Sequence, residues 1–260
     1  MLNFRFLIGA AVLALAPLAS YGGTLYGTAA LTGALVTIDP ATAATVTLNP
    51  GGPANVGAAY NPGADTLYVR SYFDLYTADR VTGVETLVGH SDVRLTALTF
   101  DKTFSTLYSV DRSFGGDFYS VNPATGFATL IGATGIDRPL GLDTNAAGVI
   151  YVGSEGGGIY TIDVSTAAAT NVLAEGTVLG GLSEIAFDPA GTLYGVILDG
   201  TLITISLSTG ATTVIGQVGY EGIRGLTYVD AIPEPSTYAM MLLGVCGLTA
   251  VARRANGQHV

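Results

Sequence analysis

The chain has 260 residues, 49% of them apolar and only 12% charged, a composition that supports a sizeable core and excludes intrinsic disorder. Its formal net charge is −10 with a single lysine, Lys102. A surface this acidic repels phosphate backbones and anionic headgroups, which excludes nucleic acid as a partner and favours cations or neutral ligands.

Residues 1–22 read as a secretory signal peptide, addressed to the Sec translocon: Arg5 supplies a positive charge and the run from Phe6 to Ala16 is apolar. Ser20 and Gly22 are small enough to flank a cleavage point, whereas cutting after Ala16 would leave Pro17 as the first residue, so cleavage is expected near Gly22. The alternative is a buried N-terminal helix, but no cap or polar face accompanies the run.

Residues 23–231 are written as repeats. Leu25-Tyr26, Leu67-Tyr68, Leu107-Tyr108, Ile150-Tyr151 and Leu193-Tyr194 recur at intervals of 42, 40, 43 and 43 residues. Each copy holds the same order of parts, clearest from Glu184 to Gly216: a first strand of small residues, a turn, the Leu-Tyr strand, a loop, a third strand rich in β-branched residues, and a turn into a fourth. Four antiparallel strands every 42 residues or so predict an all-β fold, a β-propeller of the WD40/NHL-like type with five blades. The segments at Gly57, Ala97, Pro139, Glu184 and Gly225 carry the small residues that inner strands need as they crowd the axis. The first copy lacks an inner strand and a spare one, Ile223 to Asp230, ends the domain, so the spare is expected to complete the first blade and close the ring. A distorted six-bladed ring and an open array are the alternatives.

The phrase Val121-Asn-Pro-Ala-Thr-Gly, with counterparts at Ile38, Ala78, Ile162 and Ile205, is expected to be the turn between third and fourth strands. The stretch from Asp143 to Gly148 faintly resembles a calcium loop. It is read as a turn equivalent to those at Asn61, Asp101 and Asp188, with Asp143 taken as its first residue.

Function is expected where the copies differ, on the face where second-to-third-strand loops meet the segments that lead into first strands. The loops carry Tyr72, Phe73, Asp74, Arg112, Phe114, Asp117, Glu155 and Asp199; the lead-in segments carry Arg94, Arg138, Glu184, Glu221 and Arg224. Arginines, carboxylates and aromatic rings at one mouth suit a sugar or an extended polymer, or else they solvate the rim and pair with each other. Catalysis has less support. His90 is the one histidine of the folded part, which leaves a single base for nucleophilic chemistry and too few nitrogens for zinc, so no catalytic residue, metal or cofactor is expected. Glu184, Glu221 and Asp199 near the axis keep a glycoside hydrolase or lyase open as the alternative.

Residues 232–260 form a different kind of segment: Pro233, Glu234, Pro235 and Ser236, an apolar stretch from Tyr238 to Ala252, then Arg253 and Arg254. This order resembles the PEP-CTERM sorting signal of Gram-negative bacteria, over about the last 25 residues. The resemblance implies exosortase as a processing partner and a destination at the cell surface or outside it, within an exopolysaccharide or biofilm environment. Physical reasoning points the same way. Fifteen residues at about 1.5 Å rise span roughly 22 Å of helix, short of the ~30 Å hydrocarbon core, which suits a transient anchor. The two arginines hold the C-terminus in the cytoplasm and leave the domain across the membrane, touched only through this segment. The prolines keep the backbone before the span extended and open to a protease. Cys246, the only cysteine, lies in this tail and has no disulfide partner. The sequence therefore predicts an exported binding module for polysaccharide or another surface protein. A polysaccharide-degrading enzyme and a purely structural matrix protein are the alternatives.

Overall fold

The computed structural model describes residues 22–220 and 222–230. Among them are twenty strands and no helix, and the expected signal and tail helices lie outside the described residues.

The strands form five antiparallel sheets of four. Blade 2 holds β4 (Gly57–Asn61), β5 (Thr66–Arg70), β6 (Asp74–Ala78) and β7 (Glu85–His90). Blade 3 holds β8 (Thr96–Phe100), β9 (Leu107–Val110), β10 (Asp117–Val121) and β11 (Ala128–Ala133). Blade 4 holds β12 (Pro139–Thr144), β13 (Ile150–Ser154), β14 (Ile159–Ile162) and β15 (Ala169–Leu173), and blade 5 holds β16 (Leu182–Phe187), β17 (Leu193–Ile197), β18 (Thr201–Ile205) and β19 (Thr212–Gln217). Blade 1 joins both ends of the domain: β20 (Ile223–Val229) lies against β1 (Thr24–Ala29), followed by β2 (Ala34–Ile38) and β3 (Thr45–Asn49). Leu25 pairs with Tyr228, Tyr26 with Thr227 and Gly27 with Leu226, which is the closure that the spare strand predicted. The inner strands touch in the cyclic order β20, β4, β8, β12, β16 and back to β20. The fold is a five-bladed β-propeller.

Its core is five apolar slabs, one in each seam between neighbouring blades. Leu35 and Val229 meet Ala58 and Val69 between blades 1 and 2, and Leu25 and Leu226 meet Val196 and Leu202 between blades 5 and 1. Equivalent slabs fill the other three seams. Because each blade is covered on both sides, its strands cannot alternate cleanly between apolar and polar, which accounts for the high apolar content.

Near the axis the inner strands approach backbone to backbone. A Cβ on Gly225 would stand 2.7 Å from the Gly57 carbonyl carbon, and one on Gly57 would stand 2.7 Å from that of Ala97. Distances this short admit only hydrogen, so the small residues at these places set how tightly the ring closes.

The repeated phrase is the turn between third and fourth strands in every blade. The amides of Ala43, Gly83, Gly126, Ala167 and Gly210 donate to the carbonyls of Asp39, Asp79, Asn122, Asp163 and Ser206 at 2.7–2.8 Å. All five donors have φ between 60° and 73°, the left-handed region that glycine enters without strain. The Asp163 carboxylate accepts from the Ser165 amide at 2.8 Å, and Asp39 and Asp79 do the same in their own turns. Hydrogen bonds to the ionised form, first those from the Thr82 amide to Asp79 and from the Ser165 hydroxyl to Asp163, hold these two carboxyls below their ordinary value.

One reading of a turn needs correction. Asp143 is not the cap of its turn; Asn145 is, accepting from the amides of Ala147 and Val149 at 3.0 Å each. Asp143 still belongs to β12, two residues upstream, and reaches across the seam to accept from the Phe187 amide at 2.6 Å.

Candidate functional site

Loops between second and third strands lie against the segments that enter first strands, as the sequence reading expected. The Leu95 amide donates to Tyr72 O at 2.9 Å, Thr134 to Gly116 O at 2.8 Å, Glu155 to Arg138 O at 3.1 Å and Val178 to Gly157 O at 3.1 Å. These bonds hold the loops of one end in a continuous rim.

At this mouth Arg224 comes into electrostatic reach of one side chain from each of the other four blades. Arg224 belongs to blade 1, and the four are Arg112 from blade 3, Glu184 from blade 5, Tyr72 from blade 2 and Glu155 from blade 4. Arg112 Nε donates to Glu155 Oε2 at 3.0 Å, and Arg138 Nη1 donates to the other Glu155 oxygen at 3.3 Å. Glu155 is thereby shared between two guanidiniums. Arg138 also lies over the Phe114 ring at 5.0 Å, and Arg94 covers the Tyr72 ring at 3.8 Å.

Glu184 is buried at the start of an inner strand. Burial pushes its carboxyl well above the ordinary range, the Arg224 charge opposes this, and Asp143 adds to it. Burial and the Arg112 charge hold Arg224 below its ordinary value, and Nη1 of Arg224 is buried without a hydrogen-bond partner. Arg70, at the end of β5, was not anticipated as part of this end. It is fully buried, and burial lowers its pKa to about 10. Its Nε and Nη2 donate to the carbonyls of Ser71 and Tyr72 at 3.1 and 3.4 Å, which fixes the Tyr72 loop and leaves Nη1 without an acceptor.

Other predicted residues serve their own loops. Asp74 accepts from the Ser71 side and binds His90 Nδ1 at 2.7 Å, with Phe73 stacked on His90. Asp199 accepts from the Thr201 amide and hydroxyl at 2.9 and 2.7 Å, and Asp117 accepts from Tyr119 OH at 3.4 Å. Glu221 and the tail residues Pro233, Glu234, Pro235, Ser236, Arg253 and Arg254 lie outside the described residues.

The opposite end of the axis holds a cavity of about 470 Å³ that the sequence reading missed. Tyr60, Phe100, Phe104, Phe187 and Tyr228 form much of its wall. Asp143 lines it as well; burial pushes this carboxyl up to about 7, against the hydrogen bonds from the Phe187 amide and Thr99. The sequence signal was the aromatic residue closing inner strands β4, β8 and β16, whose side chains turn inward only once the ring is shut. Among the described residues no group of three or more His, Cys, Asp or Glu is placed to hold a metal ion, and no helix is long and apolar enough to cross a membrane.

Comparison with known families finds one match, over residues 231–255, to the family described as the PEP-CTERM protein-sorting motif. The chain carries a PEP-CTERM sorting signal. That motif implies processing by exosortase and a location at the cell surface or outside the cell. No curated protein matches the chain. Among solved structures, a structural genomics protein of unknown function from Bacteroides thetaiotaomicron is 17% identical with a TM-score of 0.53, over 81% of this chain and 66% of its own. Kuenenia stuttgartiensis hydrazine synthase is 18% identical with a TM-score of 0.46, over 62% of this chain and 49% of its own. The chain thus spans less than two thirds of the length of either. At this identity the first likeness speaks for the fold alone.

Proposed function

We propose that this is an exported binding module: residues 1–22 direct it through the Sec translocon, exosortase processes residues 232–260, and the propeller of residues 23–231 binds a polysaccharide or a protein at the cell surface. The sorting motif at residues 231–255 carries the reading, because it assigns the chain an address outside the cytoplasm. The mouth supports the binding half, since Arg224 of one blade is within electrostatic reach of a charged or aromatic group from each of the other four. An exopolysaccharide surrounding is the chemistry that such a mouth suits best, through guanidinium hydrogen bonds and ring stacking.

The hydrolase or lyase alternative rests on Glu184, whose raised pKa suits a general acid. Of its two proposed companions, Asp199 is committed to Thr201, and Glu221 lies outside the described residues. The test has two parts. In a host that expresses exosortase, mass spectrometry of the exported protein should find the tail cut near Pro233 to Pro235. Replacing Glu234 with alanine should leave the full-length chain in the membrane fraction. Uncut, membrane-retained wild-type protein would overturn the sorting half, and an empty glycan array would overturn polysaccharide binding.

A further inference from the structure

We propose that the axial mouth takes the carboxylate groups of an acidic polysaccharide, one of them seated between Arg112 and Arg224 with Arg94 and Tyr72 beside it. This rests on the binding reading above and adds the class of ligand.

The first support is the distribution of charge. Between Gly23 and Asp230 the chain has seven basic residues, and five of them, Arg70, Arg94, Arg112, Arg138 and Arg224, belong to this one end. The net charge of −10 argued against anions, but exposed charges are screened beyond roughly 8 Å at physiological salt, so the local arrangement decides.

The second is unmet donor capacity. A guanidinium offers five N–H donors, and an unpaired buried donor is costly to leave without an acceptor. Nη1 of Arg224 and Nη1 of Arg70 are buried and have none. Among the described residues the ion pairs at the mouth are those of Arg112 and Arg138 to Glu155, and of His90 to Asp74. Glu155 has both oxygens engaged. Two rim carboxylates are occupied in the same way: Glu175 accepts from Ser154 and Tyr160 hydroxyls at 2.8 Å each, and Asp111 accepts from the Ser113 and Asp117 amides. Burial favours the neutral form of Glu184, the remaining carboxyl at the axis. Burial and the Arg112 charge still hold Arg224 below its ordinary value, and Glu184 and Glu155 offset them only in part. A ligand carboxylate between Arg112 and Arg224 would balance the two positive charges through charge-assisted hydrogen bonds.

The third is apolar surface beside the charge. Phe114 is 75% exposed and Phe73 41% exposed on the same rim, flat faces of the kind on which a pyranose ring stacks. That favours an acidic polysaccharide over an acidic peptide.

The test is calorimetry on the full chain in detergent with three polymers: polygalacturonate, neutral dextran and polyglutamate. The expected result is that polygalacturonate binds at least tenfold more tightly than either of the others, and that Arg224→Gln and Arg94→Gln each weaken it about tenfold or more. Arg94 is exposed, so its variant keeps the test decisive if Arg224→Gln does not fold. Lys102→Gln, on the cavity at the other end, should bind as the wild type does. Equal binding of dextran and polygalacturonate, unaffected by either arginine variant, would overturn the anionic preference and leave the binding reading standing. Polyglutamate binding as tightly as polygalacturonate would overturn the choice of a sugar polymer. No binding of any polymer would overturn the acidic polysaccharide as ligand and leave a surface protein as the partner of the binding reading.

Discussion

Glu85 and Asn55 meet in the seam between the first two blades, where Asn55 Nδ2 donates to Glu85 Oε1 at 2.6 Å. The other Glu85 oxygen and Asn55 Oδ1 are buried and unpartnered. Burial pushes the Glu85 carboxyl from 4.5 up to about 7, against the pull of the Asn55 hydrogen bond. A carboxyl with a raised folded-state value binds more protons folded than unfolded. Its contribution to stability is full below about 4.5 and is lost as the pH rises through about 7. Asp143, also at about 7, adds in the same direction. Thermal melting should therefore show a higher midpoint at pH 5 than at pH 8, and Glu85→Gln should shrink that difference. A midpoint that rises with pH over this range would contradict the assignment. Residue by residue, the sequence was only partly informative. Arg224, Arg112 and Glu184 stood out because they break the repeat at lead-in and loop positions. Arg70 did not, since it sits at the end of an ordinary strand and becomes buried only because the next two carbonyls curl back onto its guanidinium. Asp143 was misassigned because its neighbour Asn145 can cap the same turn, and only the seam shows which of them does.

Among the elements, the outer strand of each blade has a device that no repeat motif announced. Leu48, Val88, Ile131, Val172 and Ile215 are each skipped in the pairing between third and fourth strands. A bulge at the same place in all five blades twists the exposed edge and makes it a poor template for another chain. The glycines that follow some of these bulges receive the turn of the next blade. A Cβ on Gly89 would stand 1.9 Å from Thr125 O, so Gly89→Ala must force blades 2 and 3 apart. Urea denaturation should show it less stable by about 2 kcal/mol or more, within the range for overpacked cores. Gly51, where a Cβ meets nothing within 4 Å, is the control, and Gly51→Ala should leave the midpoint within experimental error. The turns were legible because five copies of one phrase point to one local geometry. The bulges were not, because they depend on counting residues across a strand pair whose register is set by the seam.

For the whole molecule, the ring depends on its last strand. Ile223, Leu226 and Val229 are buried side chains of β20, and at roughly 2 kcal/mol each they rival the net stability of about 5–15 kcal/mol expected of a domain. A chain ending at residue 222 should lose its cooperative unfolding transition and sediment as aggregates, since β1 would then present a bare edge and the slab between blades 5 and 1 would lie open. A monomeric, cooperatively unfolding truncation would contradict the closure account. Blade number and closure were readable from the interval of about 42 residues and from one missing strand. The axial cavity was not, because it exists only where five strand ends face each other across the ring.

The Gly23 amide donates to Tyr228 OH at 2.8 Å, and Thr24 lies opposite Val229, so the two ends of the folded chain stand side by side. The ring consequently has no privileged origin. A circular permutant, with its natural ends joined by a short glycine linker and new ones cut at the exposed turn around Asn145 and Gly148, should adopt the same toroid. Where the peptide starts is then a matter of genetics and export, while the architecture is indifferent to it.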